Sequence, residues 1–380
     1  MKPNLNHRLI CLSFLIFGFN APAQENAVIG TYEKITSAIL GGGVKYLVHL
    51  PEGYEKSGIA YPVLYMLNAQ SVSNLANAVA TLEHLESERI PDIILIGICN
   101  EGVAARVWAC PDDSGKMISA DRFNDFLEKE LIPEIAKKYR VNDYRILMGQ
   151  SNYGLFALNN LMHRRLFRAY GVASPMFGWC PGFQMKELNS FLESGKAKGL
   201  SMYMPYGELD YIEVLGHMDS CRRLLEKRSP PDFKWKAEKI LNDGHVPYIS
   251  LHHALIFFFA ECTLTPELQD ESVAAIRAHY ETISKEFGFT VNPKGNILMN
   301  LAWDLKEQKK FDRSVEVYDY LCSIYPGNAI YLATYGITLF KKGDMKGAME
   351  KAMAALALDP EQPHAKALME KLEKTSALSR

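Results

Sequence analysis

The sequence is short of net charge, of metal-ligand spacing and of long apolar runs, and each shortage closes off a class of function. A formal charge of −2 over 380 residues leaves no basic surplus with which to hold nucleic acid or an anionic membrane surface. Seven cysteines include no CxxC pair and no zinc-finger spacing. The histidines outside the region discussed below (His49, His84, His163, His217, His252, His253, His279 and His364) show no metal-like clustering. The neighbours His252 and His253 point apart on a helix and read as structural. No stretch reaches the roughly 20 apolar residues that a membrane-spanning helix needs.

What is present begins at the N-terminus. Lys2, His7 and Arg8 precede an apolar run from Leu9 to Phe19. Ala21-Pro22-Ala23 then offers a small-x-small cleavage pattern before polar Gln24-Glu25-Asn26. The three regions appear in the order of a secretory signal, so residues 1–23 are expected to be removed from an exported, periplasmic or secreted protein. Cys11 would leave with them. Of the other cysteines, Cys99, Cys110, Cys180, Cys221, Cys262 and Cys322, an exported protein could pair some, but spacing does not say which. The alternative is that several are small buried hydrophobes.

From Ile35 to about Ala260, strand-like and helix-like segments alternate. Gly41-Gly42-Gly43 before Lys45–Leu50 suggests the turn of an opening hairpin. Tyr61–Leu67, Ile93–Cys99, Arg145–Gly149, Ala169–Ala173 and Met202–Tyr206 are apolar runs suited to strands buried on both faces. Phe233–Ile240 alternates charge and bulk, as an edge strand does. Amphipathic stretches at Asn74–Glu88, Ala120–Tyr139, Tyr153–Leu166, Glu213–Arg228 and Leu251–Glu261 lie between them. This order predicts an α/β layer fold with a mostly parallel central sheet.

After Thr263–Pro266 the strands stop. Residues 24–265 are read as the α/β unit, 266–294 as a linking helix at Glu267–Phe287, and 295–380 as helical repeats. Pro326 and Pro360 stand 34 residues apart. In that frame Leu298, Leu301, Ala302 and Leu305 correspond to Leu332, Tyr335, Gly336 and Leu339, with Ala348 following. These are the packing positions of tetratricopeptide repeats. Ser314 departs from the pattern by standing where a small alanine is usual.

The chemistry concentrates at Arg145–Leu158, RILMGQSNYGLFAL. An apolar strand runs into Gly149-Gln150-Ser151-Asn152-Tyr153-Gly154 and then into a helix. That is the setting of a nucleophile elbow, where a sharp turn exposes the serine hydroxyl. For this layout the acid and histidine follow in that order. Asp210 comes after the strand Met202–Tyr206, and His245 after the strand Phe233–Ile240. His245 would accept the Ser151 proton, and Asp210 would orient the imidazole. Glu208 and Glu213 compete with Asp210, which could instead cap a helix starting near Glu213. Asp243 is read as shaping its turn. The oxyanion hole needs two backbone N–H donors, one at Asn152 and one at Ala69 or Gln70.

These segments resemble the esterase D-like or enterochelin-esterase-like family of serine hydrolases over about residues 35–262. YPVLYMLNAQ is similar to the family's strand and first oxyanion loop, and FLEKELIPEIAKKYRV to its helix before the elbow strand. GQSNYGLFAL is similar to its elbow, ASPMFGW to the segment after the next strand, and DGHVPYISLHHAL to its histidine loop. The helical tail also resembles that of some bacterial members. The resemblance implies an α/β-hydrolase fold, hydrolysis of carboxylic esters (siderophore trilactones, S-formylglutathione, acyl groups on polysaccharides) and no metal or organic cofactor. Acyl transfer to a sugar, or a degenerate binding or scaffold protein whose helical repeats take a protein partner, are the alternatives. Two departures bear on substrate contacts. Tyr153 replaces the first glycine of the family's GxSxGG, and Trp108 stands near the aspartate of an Arg-Asp pair. Tyr153, Trp108 and Trp179 are the candidate pocket residues, with specificity expected in the loops Ala104–Arg122 and Trp179–Gly199.

Overall fold

The computed structural model describes residues 28–105 and 107–378. The expected signal segment, residues 1–23, lies outside them.

Eight strands form one sheet: β1 (Thr31–Ser37), β2 (Gly42–His49), β3 (Tyr61–Met66), β4 (Ile94–Ile98), β5 (Val141–Gln150), β6 (Ala169–Ala173), β7 (Ser201–Gly207) and β8 (Lys234–Ile240). Their spatial order is β1-β2-β4-β3-β5-β6-β7-β8. The opening hairpin is antiparallel and joins β4 antiparallel; every pairing from β4 to β8 is parallel. This is the α/β-hydrolase arrangement.

The alternation of β3 sends Val63, Tyr65 and Leu67 into one hydrophobic cluster and Leu64 and Met66 into another. Two apolar faces need two covers. On one face lie α2 (Ile118–Phe126, continued through a wider turn at Leu127–Leu131 into Ile132–Lys138), α3 (Asn152–His163), α4 (Pro181–Glu193) and α5 (Ile212–Arg228). On the other lie α1 (Val72–Glu86), α6 (Ser250–Phe258) and the tail.

Helix α4 is a correction, since this stretch was read as part of a loop. Pro181 stands in the first helical turn, and Leu188, Phe191 and Leu192 repeat at helical spacing and are buried. The linking segment is also not one helix. A short turn at Pro266–Asp270 breaks, and Ser272 caps a fresh start at α7 (Val273–Phe287) by accepting from the Ala275 N–H.

Five helices follow: α8 (Gly295–Glu307), α9 (Phe311–Ile324), α10 (Ala329–Lys342), α11 (Met345–Leu358) and α12 (Pro363–Leu378). The starts of α8, α10 and α12 are 34 residues apart, as are those of α9 and α11. Ser314 fits the crowded inter-helix position because its hydroxyl donates to the Ala302 carbonyl at 2.6 Å while the residue is fully buried. Leu298, Ala302, Leu305, Tyr335, Leu339 and Ala348 are buried as expected, whereas Leu301 and Leu332 are only partly covered.

The boundary at residue 265 is not a gap between cores. Tyr144 of β5 lies within 5.7 Å, centroid to centroid, of Phe259, Phe287 and Phe289. One cluster runs unbroken from Leu64 through Phe258 and Tyr280 to Leu298 and Leu368. Lys294 pairs with Asp92 at 2.6 Å, and the Asn296 side-chain amide donates to the Ser87 carbonyl. A chain ended at Leu264 would therefore expose the apolar back of α6 and β5. It is expected to aggregate, whereas the full chain stays monodisperse; size-exclusion chromatography of the two forms checks this. A soluble, cooperatively melting truncation would show that the tail is an independent appendage.

Candidate active site

The site lies beyond the C-terminal ends of the parallel strands, where successive loops converge. Ser151 joins β5 to α3 with φ 57° and ψ −119°, a conformation that costs an L-residue free energy and needs close support. Its N–H donates to the Ala173 carbonyl of β6 at 2.9 Å. Two glycines make room for the turn. A Cβ on Gly149 would lie 2.0 Å from the Tyr153 carbonyl oxygen, and one on Gly154 would lie 2.7 Å from that of Ala173.

His245 and Asp210 complete a hydrogen-bonded chain. His245 Nε2 is 2.9 Å from Ser151 Oγ, and His245 Nδ1 is 2.6 Å from Asp210 Oδ1. With Asp210 ionised, Nδ1 carries the proton and Nε2 is left as acceptor for the serine hydroxyl. The Asp210 carboxylate is wholly buried and takes three further donors. Tyr211 N–H reaches Oδ1 at 2.8 Å; Gly207 N–H at 3.3 Å and Ser174 Oγ at 2.6 Å reach Oδ2. Neither rival acid joins the chain. Glu208 is exposed and accepts from Asn242 N–H, and Glu213 is exposed on α5. Asp243 accepts from its neighbour Gly244 N–H and so shapes the turn before His245.

The expected oxyanion donors divide. Asn152 opens α3, so its N–H lacks an intrahelical partner. Its side chain is fixed by donation to the Val107 carbonyl at 3.0 Å. Ala69 is a correction: its N–H already donates to the Ile98 carbonyl at 3.0 Å and cannot also serve an anion. Gln70 remains as the candidate for the second donor. Its side chain is held by Asn68 Oδ1 and by the Asn100 N–H, which turns the loop across the end of β3.

Tyr153, a candidate pocket residue, is not the crowded position of the elbow. The close approach falls one residue later, at Gly154. The Tyr153 ring instead packs half-buried against the main cluster, and its hydroxyl reaches the Ala105 carbonyl at 3.4 Å. Burial pushes its phenol pKa up. Tyr153 and Asn152 thus strap the 104–110 loop to the first turn of α3.

That loop carries Trp108, whose ring stacks on Trp179 at 4.6 Å and 21°. A disulfide between Cys110 and Cys180 and a bond from Gln184 to the Ala109 carbonyl hold the two segments together. Both indoles are about 40% exposed, at 42% and 43%. Sequence reasoning missed three features here. One is the disulfide, invisible in spacing alone. Another is Tyr211, an exposed ring tilted 31° against the His245 imidazole with centroids 4.4 Å apart. The third is Ser174, whose only signal was its place directly after β6. Among the described residues no cluster of three or more His, Cys, Asp or Glu could hold a metal ion, and no helix is long and apolar enough to cross a membrane.

Residues 37–218 match the model of the Esterase family, described as "Putative esterase". The match includes Ser151 and Asp210 and stops before His245. No curated protein matches the chain in sequence. Among solved structures, the chain is similar to an IroE-like serine hydrolase from Shewanella oneidensis, with 23% identity over 78% of this chain and 99% of that one, at a TM-score of 0.66. An uncharacterised protein from Capnocytophaga ochracea aligns over 91% of this chain and 99% of its own, at 17% identity and a TM-score of 0.64. That coverage extends the likeness into the helical tail. The siderophore hydrolase EstB from Aspergillus nidulans aligns over 63% of this chain and 98% of its own, at 19% identity and a TM-score of 0.52. At these identities the likeness is one of fold.

If the crowding at the elbow is as described, Gly154→Ala loses about 1–3 kcal/mol of stability through overpacking against β6. Tyr153→Phe, which removes one long hydrogen bond, stays within about 0.5 kcal/mol of the parent. Urea denaturation of both variants checks the contrast. Equal losses would put the tight contact elsewhere.

Proposed function

We propose that this chain, whose residues 37–218 match the esterase family model, is a carboxylic ester hydrolase that works through an acyl-enzyme formed on Ser151. The observation that carries the reading is the chain from Ser151 Oγ to His245 Nε2 at 2.9 Å and from His245 Nδ1 to Asp210 Oδ1 at 2.6 Å.

His245 takes the hydroxyl proton as Ser151 Oγ attacks the ester carbonyl. Negative charge grows on the carbonyl oxygen, where the N–H groups of Asn152 and Gln70 and the start of α3 favour it. The imidazolium then gives its proton to the departing alcohol. Water repeats the sequence and releases the acid. Asp210 stays ionised throughout, holding the tautomer and stabilising the imidazolium.

The substrate reading is a sugar-acyl, siderophore or similar small ester. Its support is the exposed Trp108–Trp179 pair, which offers a flat apolar face to a ring. A further support is the fold shared with a protein described as a siderophore hydrolase. The 34-residue helical repeat is read as a tetratricopeptide-like unit that would take a protein partner. Export is supported by the Cys110–Cys180 disulfide, since such bonds persist in oxidising compartments.

Ser151→Ala is expected to lower kcat on p-nitrophenyl acetate by about a million-fold and to leave the melting curve in place. Asp210→Asn should cost about 10⁴-fold by holding the wrong tautomer, and Glu208→Gln should stay within about threefold. Steady-state kinetics on folded variants decides; an active Ser151→Ala sinks the serine mechanism. For export, mass spectrometry of the protein from a secreting host is expected to find Gln24 as the first residue. Full-length protein retained in the cytoplasm would refute export.

A further inference from the structure

Ser174 lies outside the three-residue chain, yet three elements meet at its hydroxyl. It directly follows β6, is fully buried, and has φ 43°, a left-handed conformation that disfavours a side chain. Its N–H donates to the Pro205 carbonyl of β7 at 2.8 Å, which fixes the backbone. Its Oγ donates to Asp210 Oδ2 at 2.6 Å and accepts from Val246 N–H at 3.0 Å. Val246 is the residue after His245 and is itself at φ 58°. One hydroxyl therefore ties the acid, from the loop after β7, to the backbone that carries the base, from the loop after β8.

The direction of these bonds matters. The Ser174 hydroxyl has one proton, and Asp210, an ionised acceptor, takes it. The Oγ lone pairs are then left for Val246 N–H. Without the hydroxyl, Oδ2 keeps only the 3.3 Å bond from Gly207, and the Val246 N–H loses its partner. A buried carboxylate with fewer donors leaves more of its charge to be met by the imidazolium. The base loop would at the same time lose the bond that sets its distance from Ser151. A serine stands at a strained position where glycine would be easier, and what it adds there is the hydroxyl.

Resting on the serine mechanism above, we infer that Ser174 is a positioning residue: its hydroxyl sets the orientation and charge of Asp210 and the place of His245 relative to Ser151. It touches no reacting atom. The Asp210 carboxylate and the tilted Tyr211 ring both contact the His245 imidazole, and Glu208 and Asp243 are the other acids in the two loops that carry them.

The test uses Ser174→Gly and Ser174→Ala in the full chain. Glycine relieves the φ 43° backbone, so it removes the hydroxyl with the least risk to folding. Active sites are counted by titration with a serine-directed phosphonate, which removes any unfolded fraction from the rate. On p-nitrophenyl acetate, kcat per titrated site is expected to fall about 10–100-fold, with KM within about threefold. The acid limb of the kcat/KM profile is expected to move to higher pH, because an under-solvated carboxylate holds the imidazolium proton longer. A purely structural role would not move that limb. A folded Ser174→Gly with unchanged kcat, or with a lower kcat and an unmoved limb, overturns the inference. Ser151→Ala run in parallel separates the failures. If it is inactive while Ser174→Gly is normal, only this inference falls; if it is active, the serine mechanism falls and takes this one with it.

Discussion

A serine held at φ 57° and ψ −119° will relax unless its neighbours prevent it. Here the restraint comes from the parallel sheet. β5 delivers Gln150 in register with Ala173 of β6, and the Ala173 carbonyl then accepts the Ser151 N–H. The same carbonyl is the wall that Gly154 must approach, so α3 can start only where a residue lacks a Cβ. Gly149 clears the other side, beneath the Tyr153 carbonyl. The strand spacing of about 4.8 Å thus fixes where the helix begins, and the helix start fixes where the hydroxyl and the Asn152 N–H point. The acid and base loops, leaving neighbouring strands β7 and β8, then need only short reaches to the same point.

The elements legible in the sequence are those whose signal is local. β3, β4, β5 and β6 are apolar on both faces and announce themselves as runs. β8 shows its edge position in its lysines. The serine, acid and histidine could be placed because each follows a strand with a recognisable pattern. β1 was less visible: its burial alternates, but the covered positions are Glu33, Ile35 and Ser37, so no apolar alternation shows in the sequence. Helix α4 was lost because Pro181 and Gly182 at its start read as loop residues, and polar Gln184 interrupts its buried face before Leu188, Phe191 and Leu192. Choosing Gln70 over Ala69 required knowing that β4 ends with a free Ile98 carbonyl beside Ala69, a tertiary fact with no trace in either residue.

At Tyr153 the glycine of the family pattern is replaced without crowding the elbow. The crowded residue is its neighbour, and position 153 faces the 104–110 loop. A side chain there can gain packing, and a phenol can reach the Ala105 carbonyl. Gly149 and Gly154 are therefore steric requirements, whereas residue 153 is free to vary with the loop it supports. In this chain that loop is further locked by the Cys110–Cys180 bridge and the Trp108–Trp179 stack.

The tail extends the same logic to the opposite face of the sheet. β strands buried on both sides need helices on both sides, and α1 with α6 leaves Tyr144 and Phe259 uncovered. Phe287 and Phe289 close that gap, and the repeat helices continue outward from there with the period of their own hydrophobic stripe. Helix α6 is therefore shared between the site and the tail. Its N-terminus follows the His245 loop directly, and its buried face touches the cluster that runs into α8. Helix α6 and the Asn77 side chain of α1, which donates to the Tyr248 carbonyl, both link the layer that faces the tail to the loop that carries His245.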